Sequence, residues 1–549
     1  MKINKIKIVN FKCFEGEFEL ELNDGVNIIV GNNEAGKSTI LEAIHLALTG
    51  ILNGRNIRNE ISEYIFNRNV IEEYLKNVNS NNSTELPYIL IEIYFDGDDN
   101  PILEGNGNSF RENAKGISFK ILFDDKYQAE YESLVKIGDV KSIPIEYYIV
   151  SWSSFARENI TPKSIPFKSA MIDSSSNNYL SCSDIYVSRI IKDNLEQEDI
   201  TNIAQAHRKM RDEFMSNQTI KDINGKINQS KSLTDKKIEL SVELGTKNAW
   251  ESSLITQLDK IPFNYIGKGE QCIVKTELAI TNNKAKNAGI ILIEEPENHL
   301  SYSKLNQLIS CISKKYQDKQ IIISTHSSFV ANKLGLNNLI LLNNLKTTRF
   351  NDMGVSTQDF FEKIAGYDTL RLILSKKAIL VEGDSDELVV QKAYMMSHEG
   401  KLPIEDGIDV ISVGTSFLRF LEISDKLQKP VAVVTDNDGD LVALQEKYKN
   451  YINSNAKSYV KICVDMTVDE GNLMIGKSHY NYNTLEPKIL KVNSLETMND
   501  ILNTSFTDID ELRKYMKHNK TDCAYKIFET DKEIIFPDYI MEAVSWKIN

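Results

Sequence analysis

The chain predicts an α/β fold built twice: a phosphate-loop nucleotide-binding domain first, and a second parallel α/β domain at the C-terminal end. Three observations carry this. The stretch Gly31-Asn32-Asn33-Glu34-Ala35-Gly36-Lys37-Ser38-Thr39 fills every position of a phosphate-binding loop. A later apolar run, 290–293, ends in Glu294-Glu295. From 377 onward apolar runs alternate with helical spacing, and two of the runs end in Glu382 and in Asp436-Asn437-Asp438. Such alternation means a parallel sheet.

Composition sets the bounds. At 549 residues, with 41% hydrophobic and 26% charged side chains, the chain holds roughly two to four domains with ordinary cores. No apolar run approaches the ~20 residues needed to span a bilayer. Residues 1–7 alternate like an edge strand and lack a secretory apolar region, and the six cysteines include no CxxC pair. Neither a zinc site nor a disulfide framework is suggested, and a soluble cytoplasmic protein is expected. The net charge is −14, so a DNA-binding chain of this kind needs a local basic face or divalent cations. Metal-binding carboxylates fit that balance, and so does an ordinary acidic protein.

The phosphate loop follows an apolar run at 26–30, broken once by Asn27, and precedes an amphipathic run at 40–48 closed by Gly50. Strand, loop and helix thus stand in the required order. The glycines let backbone N–H groups face one point, and the helix adds its positive end. Asn32, Asn33, Glu34, Ala35, Gly36, Lys37, Ser38 and Thr39 are the nucleotide-binding candidates. Lys37 can reach the β- and γ-phosphates of ATP, and Ser38 can ligate Mg²⁺. Phe11 and Phe14 fit core packing better than an adenine contact.

Residues 51–260 are less legible. Polar clusters at 77–84 and 96–108 mark loops. Runs at 88–95, which alternates, and 143–152 read as strands, and 186–230 and 232–260 carry helical spacing with heavy charge. An insertion of helices at about 155–255 is expected, serving as a dimerisation element or as a solvated elaboration. Gly267-Lys268-Gly269-Glu270-Gln271 is a Gly-rich turn opening the segment 272–280. In the 290–300 stretch Glu294 would hold the metal, in place of the more usual aspartate, and Glu295 would orient or deprotonate the attacking water. The strand 320–324 leads to Thr325-His326-Ser327, where His326 can contact the γ-phosphate. Residues 336–375 read as connecting helices.

These pieces together resemble the ABC-type ATPases of the SMC, RecF and Rad50 class over residues 1–335, with the middle unmatched. The resemblance implies that Gly267, Gly269 and Gln271 belong to the signature turn that meets the γ-phosphate on an opposing protomer, and hence a homodimer.

The second domain, 376–549, is read as a strand at 377–381, a helix at 388–396, a strand at 408–413, a helix at 415–427 and a strand at 431–434. Sites in parallel sheets form beyond the carboxyl ends of strands, where Glu382, Asp436 and Asp438 stand. Carboxylates brought together from separate strands repel one another unless a cation joins them. Hard oxygen donors suit Mg²⁺ or Mn²⁺, and two such ions ~4 Å apart clamp the attacking and leaving oxygens of a phosphodiester. The plainer alternative is a set of solvated turns.

This arrangement resembles a Toprim domain, and an SMC-like ATPase fused ahead of it resembles the OLD (overcoming lysogenisation defect) family nucleases. The expected fold class is therefore an ABC-type P-loop ATPase with a helical insertion, a connector at 336–375, and a C-terminal Toprim domain. The resemblance implies that Glu382, Asp386, Asp436, Asp438 and Glu486 are metal ligands, Asp386 standing where glutamate is frequent. It implies that Lys520, in Lys520-Thr521-Asp522-Cys523-Ala524, stabilises the developing phosphate charge. Lys526 competes for that role, and Asp440 and Asp469 are further candidate ligands. The chain is also similar to the nuclease subunit of the Gabija antiphage system, which works beside a UvrD-like helicase; retron-associated OLD nucleases are a second resemblance.

The expected function is an ATP-binding, metal-dependent DNA endonuclease in antiphage defence, acting as a homodimer or a higher oligomer up to a tetramer, with no membrane partner. The alternative is an SMC/RecF-like DNA-repair ATPase whose Toprim domain binds without cutting. A topoisomerase would need a tyrosine nucleophile in a further domain, a primase a zinc module, and a transporter ATPase a membrane partner.

Overall fold

The structure is a computed structural model that describes all residues except 33, 81–84, 98–99, 139, 167–168, 174–196, 230–239, 241–256, 272, 275–288, 299, 316–318, 344, 350–353, 364–368 and 547–549. It divides into two compact units: residues 1–326 with 340–347, and residues 327–339 with 348–549.

In the first unit Lys2–Val9 pairs antiparallel with Glu17–Glu21 on one side and Ile89–Asp96 on the other. Ala114–Phe123 and Tyr148–Ser154 extend this sheet. A second sheet runs Ser169–Asp173, Ile290–Glu294, Gln320–Ser324, Val26–Gly31, Leu339–Asn343, Lys346–Arg349, in that spatial order. Its first four strands are parallel. The helix Lys37–Thr49 shares one core with both sheets, and Ile40, Leu41, Ile44 and Leu48 are fully buried there. Each such side chain contributes about 2 kcal/mol. Gly50 stops the helix in the left-handed region (φ 72°), its N–H bonding Leu46 O at 2.8 Å. The strand order sets the phosphate loop's strand beside the one leading to His326, and that one beside the strand ending at Glu294.

Several elements differ from expectation. Ile89–Asp96 is buried on both faces rather than alternately, because Glu92 points into a covered pocket and accepts from Tyr94 Oη at 2.8 Å and Ser109 N at 3.0 Å. The strand expected at 143–152 begins later: a 3₁₀ turn, Ile145–Tyr147, precedes Tyr148–Ser154. Helices Gln197–Ser216 and Gln218–Gln229 fall within the expected insertion; much of the rest of it, with any dimerisation element, lies outside the described residues. At its end the helical reading fails, since Gln257–Leu258 and Ile261–Pro262 form a hairpin. The stretch 336–375 is only partly helical. Leu339–Asn343 and Lys346–Arg349 form the last two strands of the second sheet, and the helices are Val355–Lys363 and Thr369–Leu374. Phe11 and Phe14 are core residues with no exposed surface.

In the second unit four parallel strands are ordered Ile408–Ser412, Lys377–Val381, Val431–Val434, Val460–Cys463. The two central strands are those that end at Glu382 and Asp436. The helix Asp384–Ser397 starts four residues earlier than its apolar spacing suggests, so Asp386 lies in its first turn. It packs along Lys520–Glu529, and helices Leu485–Val492, Ile509–His518 and Asp538–Ser545 share the same core.

Candidate functional site

In the first unit the phosphate loop is shaped by steric necessity. Gly36 has φ 100°, and a Cβ there would meet Cys13 Sγ at 2.9 Å; one at Gly31 would meet Leu342 O at 2.4 Å. Lys37 Nζ donates to Gly31 O and Asn32 O at 2.9 and 3.0 Å, holding the loop closed around its own ammonium. Burial lowers the Lys37 pKa, and Glu295, Glu294 and Glu297 work against that. Ser38 is half-buried, and Thr39 accepts from Cys13 Sγ at 3.5 Å. Asn32 and Glu34 are exposed and Ala35 half-buried; Asn33 lies outside the described residues. An ammonium ringed by carbonyls, with N–H groups of a helix start beside it, fits a nucleotide's phosphates.

Glu294 ends its strand and is buried. Glu295, with φ 42°, turns toward His326: their Oε1 and Nε2 stand 3.4 Å apart, and Asn298 Nδ2 donates to Glu295 Oε2 at 2.6 Å. Burial and then Lys37 lower the His326 pKa, favouring the neutral imidazole. Glu297, which sequence reasoning passed over, accepts from Thr325 Oγ1 and from His326 N, each at 2.7 Å. Gly267 heads a helical turn whose bonds are local: Gln271 N donates to Gly267 O, and Gln271 Nε2 to Phe263 O and Ile266 O. Gly269 lies within that turn.

In the second unit Asp436 and Asp386 are partly buried near Glu382 and Glu486. Burial, then Asp386, Glu382, Glu486 and Asp438, push the Asp436 carboxyl up to about 8. Burial likewise raises Asp386 to about 6, against the pull of the Gly383 N–H that donates to its Oδ2 at 3.0 Å. Lys520 Nζ stands 3.2 Å from Glu486 Oε1. Burial opposes its charge, but Glu486, Asp436 and Asp386 outweigh it and raise its pKa. Among the described residues no three His, Cys, Asp or Glu side chains converge closely enough to enclose an ion as they stand. The donors are nevertheless all hard oxygens whose mutual repulsion a divalent cation relieves, so the set fits a hard divalent cation.

The remaining candidates have other partners. Asp440 caps the helix Leu441–Lys447, accepting from Val442 N and Ala443 N. Asp469 is held by Lys488 and Lys491 at 2.6 Å each. Lys526 pairs with Asp522 at 3.0 Å. Sequence reasoning missed the asparagines that shape the loop. Asn437, buried between the two acids, donates to Asp465 O and Thr467 O, and accepts from Gly439 N. Asn481 Nδ2 donates to Asp438 Oδ1 at 3.0 Å. The only signal for Asn437 was its place inside the acidic pair.

Residues 1–331 match the family model described as AAA ATPase domain. Residues 373–438 match the model described as overcoming lysogenization defect protein-like, TOPRIM domain. A DNA double-strand break repair Rad50 ATPase of Thermoplasma acidophilum is 50% identical over 50 residues, 9% of this chain and 6% of that protein. Structural maintenance of chromosomes protein 6 of Saccharomyces cerevisiae is 54% identical over 46 residues, 8% and 4%. The chain thus spans under a tenth of the length of these relatives. The SMC head bound to the C-winged helix domain of ScpA is 15% identical with a TM-score of 0.32, covering 65% of this chain and 99% of that one. The SMC head domain from Thermotoga maritima is 15% identical with a TM-score of 0.27, covering 63% and 97%. Matched over more than half its length, the chain belongs to the AAA ATPase domain family, and a TOPRIM domain of the overcoming-lysogenization-defect kind follows the ATPase region, as in an OLD-family protein.

Proposed function

We propose that this chain is an ATP-regulated, divalent-metal-dependent DNA endonuclease that nicks or cuts duplex DNA in antiphage defence. The observation that carries the reading is the coupling of Asp436 to Asp386, Glu382 and Glu486 beyond two adjacent parallel strands, with Lys520 on Glu486. When bound there, divalent cations supply an activated nucleophile and a counter-charge for the leaving oxygen. Glu382, Asp386, Asp436, Asp438 and Glu486 offer the oxygens that would hold them. Lys520 faces the place where phosphate charge develops. Asn437 and Asn481 keep the Asp436–Asp438 loop in shape.

In the first unit Lys37 and Ser38 serve the nucleotide's phosphates and its Mg²⁺, with Glu294 as the second hold on that ion. Glu295 takes the proton of the attacking water, and His326 orients it toward the γ-phosphate. The signature turn at Gly267, Gly269 and Gln271 would complete the site of a second copy. The antiphage role, the homodimer or tetramer, and a UvrD-like helicase or retron beside it enter this reading through the family likeness alone.

The test is cleavage of supercoiled and linear DNA with Mg²⁺ or Mn²⁺, with and without ATP. Cutting by wild type that disappears in Asp436→Ala supports the reading, and Lys37→Ala then gives the sign of the nucleotide's control. Intact DNA in every lane, beside a control nuclease that cuts, sinks it. The second reading is a DNA-repair ATPase whose Toprim domain only binds. Glu382→Ala separates the two: DNA binding and function both unchanged would select the second.

A further inference from the structure

The chain first passes from the first unit to the second between His326 and Ser327, directly after the strand-end pair Thr325-His326, and residues 340–347 belong to the first unit again. The backbone on the first side is clamped, because Glu297 Oε1 accepts from both Thr325 Oγ1 and His326 N. On the second side Ser327 Oγ accepts from Val330 N and caps the helix Ser328–Lys333. Phe329, Val330, Ala331 and Asn332 are all buried, so this short helix is gripped by its surroundings. It packs against Val355–Lys363 and Thr369–Leu374.

Arg371 projects from the second of those helices as a fork. Its Nε and Nη2 donate to Asp409 Oδ2 and Oδ1 at 3.0 and 2.7 Å. Nη2 also donates to Val410 O at 2.9 Å and stands 3.6 Å from Glu387 Oε1. Asp409 and Val410 belong to the strand Ile408–Ser412, which pairs with the strand ending at Glu382. Glu387 is the next residue after Asp386, in the first turn of the same helix. One planar guanidinium therefore ties the helix that carries Asp386 to the strand lying beside the one that ends at Glu382, and a bidentate fork resists shear in a way a single contact does not.

We propose that Arg371 is a positioning residue that couples the nucleotide state at Glu295 and His326 to the Glu382–Asp386 cluster, through the helix Ser328–Lys333. Its output, though not its geometry, rests on the endonuclease reading. A shift of His326 drags the capped N-terminus of that helix. The helix moves its packed neighbour Thr369–Leu374, and Arg371 carries the movement to the strand Ile408–Ser412 and to the start of the helix Asp384–Ser397. Coupling of this kind needs packed elements with alternative arrangements that both sites bias.

The test uses the full-length chain as wild type, Arg371→Gln and Asp409→Asn, the last weakening the same fork while keeping the cation. Backbone hydrogen exchange is read with and without Mg²⁺ and ATPγS. In wild type the nucleotide should change exchange in peptides covering 382–397 and 408–413. In both variants that change should fall about tenfold, the size of a typical coupling free energy, while protection of the 37–49 helix persists. Arg371→Lys, with its charge but no fork, should fall between. An unaltered response at 382–397 in folded Arg371→Gln and Asp409→Asn, or no response there in wild type despite protection at 37–49, overturns the proposal. If the response is lost in the variants but wild type cuts no DNA, the coupling stands and the endonuclease reading fails. If wild type does cut, the ratio of rates with and without ATP should move toward one in Arg371→Gln.

Discussion

Lys520 and Lys526 lie on one helix, Lys520–Glu529, yet only the first faces the carboxylates. Lys526 Nζ is spent on Asp522, on Leu502 O at 3.2 Å and on Tyr515 Oη at 3.4 Å. Lys520 is held charged beside Glu486, Asp436 and Asp386. Lys520→Ala is therefore expected to slow cleavage of supercoiled DNA about 10²–10³-fold, the usual cost of one lost stabiliser of developing charge. Lys526→Ala should leave the rate within a small factor. The reverse ranking would exchange their roles. At the other site Glu295, the base in the proposed reading, has its Oε2 tethered by Asn298 and its Oε1 toward His326. Glu295→Gln keeps the shape and removes the proton acceptor, so phosphate release should drop about 10²–10⁴-fold while ATP binding persists. Binding lost in parallel would mean that Glu295 holds the metal instead.

Among the elements, the strand Lys377–Val381 and the helix Asp538–Ser545 are tied by a buried lysine. Lys377 Nζ donates to Ala543 O and Trp546 O at 3.0 and 2.8 Å, supplying a donor to carbonyls a helix end leaves unpaired. Burial lowers its pKa from 10.5 to about 8. The unfolded chain keeps that proton up to its higher pKa, so between about 8 and 10.5 the unfolded state binds more protons and stability rises with pH. Denaturant melts should show wild type gaining on Lys377→Met across this window, by a few kcal/mol at most; parallel curves would refute the assignment. The two central strands of this parallel sheet are legible because each ends in its own punctuation, Glu382 in one and Asp436 in the other, whereas the edge strand Val460–Cys463 carries no such mark. The strand Leu339–Asn343 is not legible, because a short apolar run has no period that separates strand from helix, and Lys346–Arg349, reading Lys-Thr-Thr-Arg, has no apolar residue to mark it. The neighbouring phosphate-loop strand brings Leu339–Asn343 into the sheet, and Lys346–Arg349 joins on its far side. Asp440 and Asp469 show the same limit: acids near an acidic motif read as ligands until the helix they cap, or the lysines they bind, are seen.

For the molecule as a whole, a net charge of −14 opposes any polyanion, so the proposed DNA binding has to be carried by a local exception. The second unit offers one beside its carboxylates. The hairpin Met474–Ile475 with Ser478–His479 exposes Lys477 and His479, and the helix Ile509–His518 exposes Lys514, Lys517 and His518. They are joined through aromatic rings: Lys517 Nζ lies 5.7 Å from the Tyr480 ring and Arg513 Cζ 5.0 Å from the Tyr482 ring. Between these tyrosines Asn481 bonds Asp438, which sets this wall against the carboxylate loop. Cations at such a wall contact phosphates rather than bases and give affinity without sequence preference. Replacing Lys514 and Lys517 together by alanine should weaken duplex binding about tenfold at moderate salt and flatten the dependence of log K on log salt by about two, one counterion for each lost phosphate contact. Fluorescence anisotropy with Ca²⁺ in place of Mg²⁺ measures binding without requiring turnover. An unchanged slope would move the DNA path to another face of this acidic chain, whereas an unchanged Asp436→Ala slope beside a flattened double-lysine slope would separate holding the duplex from cutting it.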